Sequence, residues 1–193
     1  MSTIAEKGKS RGAREQDAPQ TVIRFWRDAG PCRWFAKNPA FDGQFRARFI
    51  ALNEAAARGE LDHWRTTANG ALALLILLDQ FPRNAFRHTA RMYATDALAL
   101  DVAHQAIATG FDHGVSNRLA LFFYLPFAHA EDSTAQDVSV RFNRRLGKDY
   151  ESHAIGHRDI IRRFGRFPHR NALLNRTSTV EEIEFLRNGG FAG

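Results

Sequence analysis

Between His157 and Asn171 the chain carries five arginines, two histidines and one aspartate around four large apolar residues. Such a set can hold an anion. Guanidinium groups present paired N–H donors that match a carboxylate or a phosphate, and an imidazole adds a hydrogen bond or takes a proton. The corner Arg166-Phe167-Pro168-His169-Arg170-Asn171 echoes an earlier one, Gln80-Phe81-Pro82-Arg83-Asn84. In both, proline fixes the backbone beside a large ring, so the Arg and Asn that follow have defined directions. His129, with Glu131 and Asp132, adds a further acid and base group between the two corners. The candidate ligand-binding residues are Asp79, Arg83, Asn84, His129, His157, Arg158, Arg166, His169, Arg170 and Asn171. No spacing among them assigns a catalytic role.

Helices must position these groups. Tyr150, Ala154, His157, Ile161 and Phe164 recur at intervals of 4 and 3, which is one apolar stripe of a helix over residues 149–164. A histidine on that stripe needs partners for both ring nitrogens, whether it belongs to a core or to a site. Asp159 and Arg163 stand four apart and read as a helix surface pair. Gly165 suits a left-handed helix stop, with Pro168 soon after it. Residues 71–80 are apolar on every side until Asp79 and Gln80, which makes them the central buried helix. Asp79 then requires a partner, because an unpaired buried charge is costly, and the arginines of 157–170 are the candidates. Glu131 and Asp132 sit beside a helix start at Ser133 and suit its positive end. They lack a HExxH-type spacing, so no metal site is expected.

The rest of the pattern is also helical. Phe41, Phe45, Phe49 and Leu52 place a helix over 39–58, with Asn38 as its cap, Pro39 in its first turn and Gly59 at its end. Further helices are expected over 19–27, 87–109, 133–146, from Ser116 to Pro126, and from Ser178, where Ser178 and Glu181 form a capping box. Gly30-Pro31 and Asn69-Gly70 are turns. No segment alternates with a strand period. No phosphate-binding glycine loop, dinucleotide fingerprint, nucleophile elbow or zinc pattern is present. The expected fold class is all-α, with about eight helices in antiparallel pairs. They form one domain over 19–193, after a polar tail over 1–18 that reads as disordered.

A chain of 193 residues with 44% hydrophobic content can bury one sizeable core, and its sixteen phenylalanines make that core aromatic. The single cysteine, Cys32, cannot form an internal disulfide, which fits a reducing compartment and a cytoplasmic location. Residues 1–20 contain no apolar secretory segment. The longest apolar run, 71–78, falls far short of the ~20 residues that span a bilayer. Net charge is +6, and residues 141–176 hold ten Lys/Arg against three Asp/Glu. The basic excess is therefore local, and such a field attracts phosphate, carboxylate, acidic protein or nucleic acid. The plainer alternative is a solvated face paired by acids from elsewhere in the chain.

Several motifs together carry a resemblance. They are Phe25-Trp26, Trp34-Phe35, Ala40-Phe41-Asp42 and Leu77 to Asn84 with Phe86-Arg87. To these add Tyr124-Leu125-Pro126 with His129 and Glu131-Asp132, then His157 to Asn171, and Arg176 with Ser178-Thr179 and Glu182. Over about Val22 to the C-terminus the chain resembles the bacterial domain-of-unknown-function family 924. That resemblance implies a tetratricopeptide-like superhelical stack and no established activity. Ala128 and Ala130 stand where the family pattern has Glu and Ser, and His88 where it has Gly.

Three functions compete at this level. A helical binding module would take an anionic small molecule or an acidic protein segment in a basic pocket or groove. An enzyme, of a reaction the residues do not name, would use the His/Arg/Asp cluster at the two Phe-Pro corners. Nucleic-acid binding is favoured by a pI near 10.1 and disfavoured by the lack of any nucleic-acid motif. The first reading is preferred. No cofactor is implied.

Overall fold

Gly30 turns the chain sharply between helix α1 (Ala18–Ala29) and the single turn α2 (Pro31–Trp34). Its φ of 75° is one that side-chain-bearing residues rarely adopt. The turn stacks Trp34 on Trp26, with ring centroids 6.1 Å apart, and Trp34 Nε1 donates to the Trp26 carbonyl. In this computed structural model residues 18–193 are described. The tail expected over 1–18 falls outside them, except that Ala18 already begins α1.

Helix α3 (Pro39–Ala57) starts as its sequence dictates. The Asn38 side chain accepts from Phe41 N at 3.0 Å, and Phe41, Phe45 and Phe49 are buried against Phe25 and Trp26. A 3₁₀ turn (Asp62–Thr66) buries Trp64 and leads into α4 (Ala68–Leu75), capped by Thr67. The two approach so closely that a Cβ on Gly70 would meet the Trp64 carbonyl oxygen at 2.0 Å. Residues 70–82 of this central stretch are all buried. Its apolar periphery is met on several sides, by α1, by α6 (Asp96–Ala108) and by α7 (Asn117–His129).

The central helix does not stop at Gln80. It passes through one π-helical turn (Ile76–Gln80) and continues as α5 (Phe81–Ala85), with Pro82 in its first turn. Pro82 offers no N–H to the Leu77 and Leu78 carbonyls behind it, and side chains take up both of them instead. The helix expected over 87–109 begins only at Asp96, after a 3₁₀ turn (Ala90–Tyr93). Thr95 explains the delay: its backbone is non-helical, and its hydroxyl donates to the Leu78 carbonyl. Pro126, a residue expected to kink or end its helix, lies inside α7.

Gln136 Nε2 donates to the Phe127, Ala128 and Ala130 carbonyls, which satisfies the end of α7 and fixes where His129 lies. Asp132 then caps α8 (Ser133–Asn143), accepting from Ala135 N at 2.8 Å. α8 packs between α7 and α9 (Lys148–Phe164), and Gly165 ends α9 at φ 71°. Of the stripe expected on α9, Ala154 and Ile161 are buried, whereas Tyr150 is exposed. A 3₁₀ turn (Pro168–Arg170) follows, then α10 (Val180–Arg187). Its capping box is Thr179 with Glu182, one residue later than expected. Ile160, Ile161 and Phe167 form a small second core with Phe164 and Phe185. The class is all-α. No helix among the described residues is long and apolar enough to cross a membrane.

Candidate functional site

A π turn displaces backbone carbonyls from their regular helical partners. Side chains take up three of them here. Asn53 Nδ2 donates to the Leu77 carbonyl at 2.9 Å, Thr95 Oγ1 to that of Leu78, and Arg83 Nη1 to that of Asp79 at 2.8 Å. The turn carries Asp79, 1% exposed. Its Oδ1 meets His129 Nδ1 at 2.7 Å and Arg83 Nη1 at 3.1 Å, and Gln80 Nε2 donates to Oδ2. Burial alone would raise this carboxyl's pKa. The charge of Arg83, with the His129 and Gln80 hydrogen bonds, outweighs burial and holds it well below the usual range.

Arg83 also grips Asp96 with both terminal nitrogens, at 2.8 and 2.9 Å. Asp96 Oδ2 accepts in turn from Arg170 Nη1 at 3.3 Å. The two Phe-Pro corners therefore communicate through Asp79, Arg83, Asp96 and Arg170. This corrects the expected direct pairing of Asp79 with an arginine or histidine of 157–170. Arg83 lies one helical turn beyond Asp79 and reaches it first, and Asp96 bridges to the second corner.

Arg170 is 6% exposed. Its guanidinium lies between the Tyr93 and Phe167 rings, 4.5 Å from each centroid. Against that burial it makes one hydrogen bond, to Asp96, and its Nε is sealed from solvent without a partner. His169 Nδ1 is likewise sealed and unpartnered. His157 hydrogen-bonds the His153 carbonyl through Nδ1 at 2.9 Å, and its ring packs on Phe167 and Phe191. Phe191 also covers His169. Burial, with the nearby Arg170 charge, pushes His157 and His169 down to about 4. Burial and Arg83 also lower His129, against the pull of Asp79. All three imidazoles are neutral at neutral pH.

Glu131 anchors the second corner. It accepts from Phe167 N at 2.8 Å and takes a two-point pair from Arg176, at 2.6 and 3.0 Å. The remaining candidates lie in other networks. Asn84 donates to Asp42, beside Arg87. Arg158 pairs with Asp159, and Arg166 clasps Glu182 at 2.6 and 2.9 Å. Asn171 bonds Ser178, Glu182 and Arg176. The basic excess of 141–176 is largely paired as well: Arg144 with Glu151, Arg145 with Asp112, Arg162 with Asp137 and Arg163 with Glu181.

The structure thus brings together Asp79, Arg83, His129, His157, His169 and Arg170, and adds Tyr93, Asp96 and Glu131. Asp96 escaped the sequence reading because a helix over 87–109 places it in mid-helix, where nothing in the sequence marks it for a tertiary partner. Two surface grooves lie elsewhere. One of about 520 Å³ is lined by Arg27, Trp34, Asn117, Arg118 and Tyr150, and a neighbour of about 320 Å³ by Arg24, Arg27 and Leu72. Neither is lined by a candidate residue. Among the described residues no group of three His, Cys, Asp or Glu is arranged to hold a metal ion.

Over residues 22–190 the sequence matches the family of bacterial proteins of unknown function DUF924. The chain belongs to that family. A solved structure of a protein of unknown function from Agrobacterium tumefaciens is 53% identical. The match covers 89% of this chain and 97% of that one, with a TM-score of 0.87. No curated protein matches. Two of the three departures from the family pattern, Ala128 and Ala130, flank His129, whose bond to Asp79 does not involve them. The third, His88, has a φ of 63°, a conformation that favours the glycine of the pattern.

Proposed function

We propose that the cluster around Arg170 binds a small anion, a carboxylate or a phosphate. One observation carries this reading. Arg170 is buried between two rings, makes a single hydrogen bond to protein, and has a sealed Nε without a partner. Leaving guanidinium donors unmade in a buried place is expensive. Arg170 Nη2 has no hydrogen-bond partner among the described residues and is not sealed from solvent, so it is the donor an oxyanion would reach. The surrounding rings favour a small ligand over an acidic peptide. Cytoplasmic placement, which the lone cysteine suggests, and the tetratricopeptide-like stack implied by the family resemblance belong to the same proposal.

Calorimetric titration with inorganic phosphate and with succinate tests it. Arg170→Met removes the charge and keeps an apolar filler between Tyr93 and Phe167. Binding by the wild type that falls at least tenfold in this variant, with melting preserved, is the expected result. Equal binding by both proteins overturns the reading. If Arg170→Ala lowers stability as much as Asp79→Asn does, the network is structural and the reading fails.

A further inference from the structure

Asp79 and His129 have the relationship of an orienting carboxylate and a proton acceptor. A buried, ionised carboxylate accepts from Nδ1 at 2.7 Å, which places the ring proton on Nδ1 and leaves the lone pair on Nε2. His129 Nε2 has no hydrogen-bond partner and, unlike His169 Nδ1, is not sealed from solvent. The side chain is 17% exposed, over an Asp79 that is 1% exposed. Two further features hold the pair. Gln136 bonds the carbonyls on either side of His129, and Gln80 and Arg83 occupy the other faces of Asp79. The His129 Nδ1 is fixed by Asp79, and its Nε2 is open to water or to a ligand.

We propose that His129, positioned by Asp79, is the general base of a hydrolytic site whose substrate is a small ester carrying a carboxylate. The inference rests on the anion site at Arg170 for the substrate's charged end. Among the described residues no serine, threonine or cysteine hydrogen-bonds His129, and water is the nucleophile in this proposal. Nε2 takes a proton from water as its oxygen attacks the acyl carbon. The carbon–oxygen bond to the alcohol then breaks, and the imidazolium returns its proton to the leaving alkoxide. Water and ester become acid and alcohol, with no other reactant. The charged groups around His129 are Asp79 and Arg83 of the central helix and Asp96 of α6, with His157 of α9 near by. Burial and Arg83 lower the His129 pKa against the pull of Asp79 and Asp96, which leaves a neutral imidazole as the proton acceptor at neutral pH.

The test uses two probes, mono-4-nitrophenyl succinate and the uncharged 4-nitrophenyl acetate, with release of nitrophenolate as the readout. His129→Asn retains a donor where Nδ1–H stands and has no Nε2. Wild-type hydrolysis of the acetate at least tenfold above His129→Asn is expected, with a rate that rises through one pKa below 6.5. Asp79→Asn should lower kcat and leave KM unchanged. Arg170→Met should raise KM for the succinate ester. Equal rates for wild type and a folded His129→Asn, checked by circular dichroism, overturn the proposal. A His129-dependent rate with no Arg170 effect on KM upholds the base and removes only the anion site. Nitrogen-detected NMR gives an independent arm: Nε2-protonated His129 at pH 7.5 would overturn the assignment.

Discussion

Asp79 Oδ1 and His129 Nδ1 are 2.7 Å apart, across fifty residues of sequence. The contact ties the π turn of the central helix to the last residue of α7. It also lets a carboxylate stay ionised at 1% exposure. Asp79→Asn keeps the shape and removes the charge, leaving Arg83 with Asp96 alone. A loss of about 3 kcal/mol is expected, as for breaking one side of a buried ion pair. Urea denaturation should show it as a lower midpoint with an unchanged slope.

Acid should weaken the fold through its buried histidines. His157 and His169 are held down to about 4 in the folded chain, and their unfolded value is near 6.5. Between those limits the unfolded chain binds more protons than the folded one, so stability is greatest above about pH 6.5 and declines as the pH falls. His129, shifted the same way, adds to the slope. The urea midpoint should decrease steadily from pH 6.5 to 4.5, and the decrease should shrink in a His157→Asn, His169→Asn double variant. A midpoint constant over that range would contradict the burial of these rings.

Glu182 clips α10 onto the second corner. Its carboxylate accepts from Arg166, Asn171 and Thr179 N. The Arg166 hydrogen bond leads in lowering its pKa to about 2, against burial. Glu182→Gln should release the first turn of α10, and hydrogen exchange should then find the amides of 180–187 unprotected. The Asp79–His129 region, held by other partners, should keep its protection. Because the folded pKa is depressed, the clip should persist from neutral pH down through 4.3 and open only toward 2.

His88 is exposed with φ 63°. A side chain in the left-handed region costs about 1–2 kcal/mol, partly offset by the freedom that glycine regains on unfolding. His88→Gly should therefore raise stability by about 0.5–1 kcal/mol, read as a higher urea midpoint. A fall in the midpoint would mean that the His88 side chain makes a contact worth more than the strain.

Local signals were legible in the sequence, and tertiary partners were not. Asn38-Pro39 and Gly165 mark helix ends by chemistry that needs no neighbour, and the structure has them in those roles. The late start of α6 could not be read in this way. Residues 87–95 suit a helix as well as those that follow, but the Thr95 hydroxyl serves Leu78 and the Asp96 carboxylate serves Arg83. The capping box slipped by one residue for a similar reason: Ser178 and Thr179 both suit the cap, and it is Glu182 that Arg166 holds. Residue type shows that a buried charge needs a partner, but not which partner. Asp79 is hence in the cluster as expected, yet bound by Arg83 and His129. Arg166 and Asn171 belong to the Glu182 clip.

The π turn is a helix with one residue too many. Deleting a single residue from 76–80 would take the extra residue out of the turn, although Pro82 would still offer no N–H to the carbonyl one turn before it. Everything downstream would then swing about 100° around the helix axis. Arg83 would leave Asp96, and Asn53 and Thr95 would lose their register with the Leu77 and Leu78 carbonyls. What joins the two corners is therefore encoded in a count of residues as much as in their kinds. This stretch should accept many apolar exchanges while tolerating no change of length.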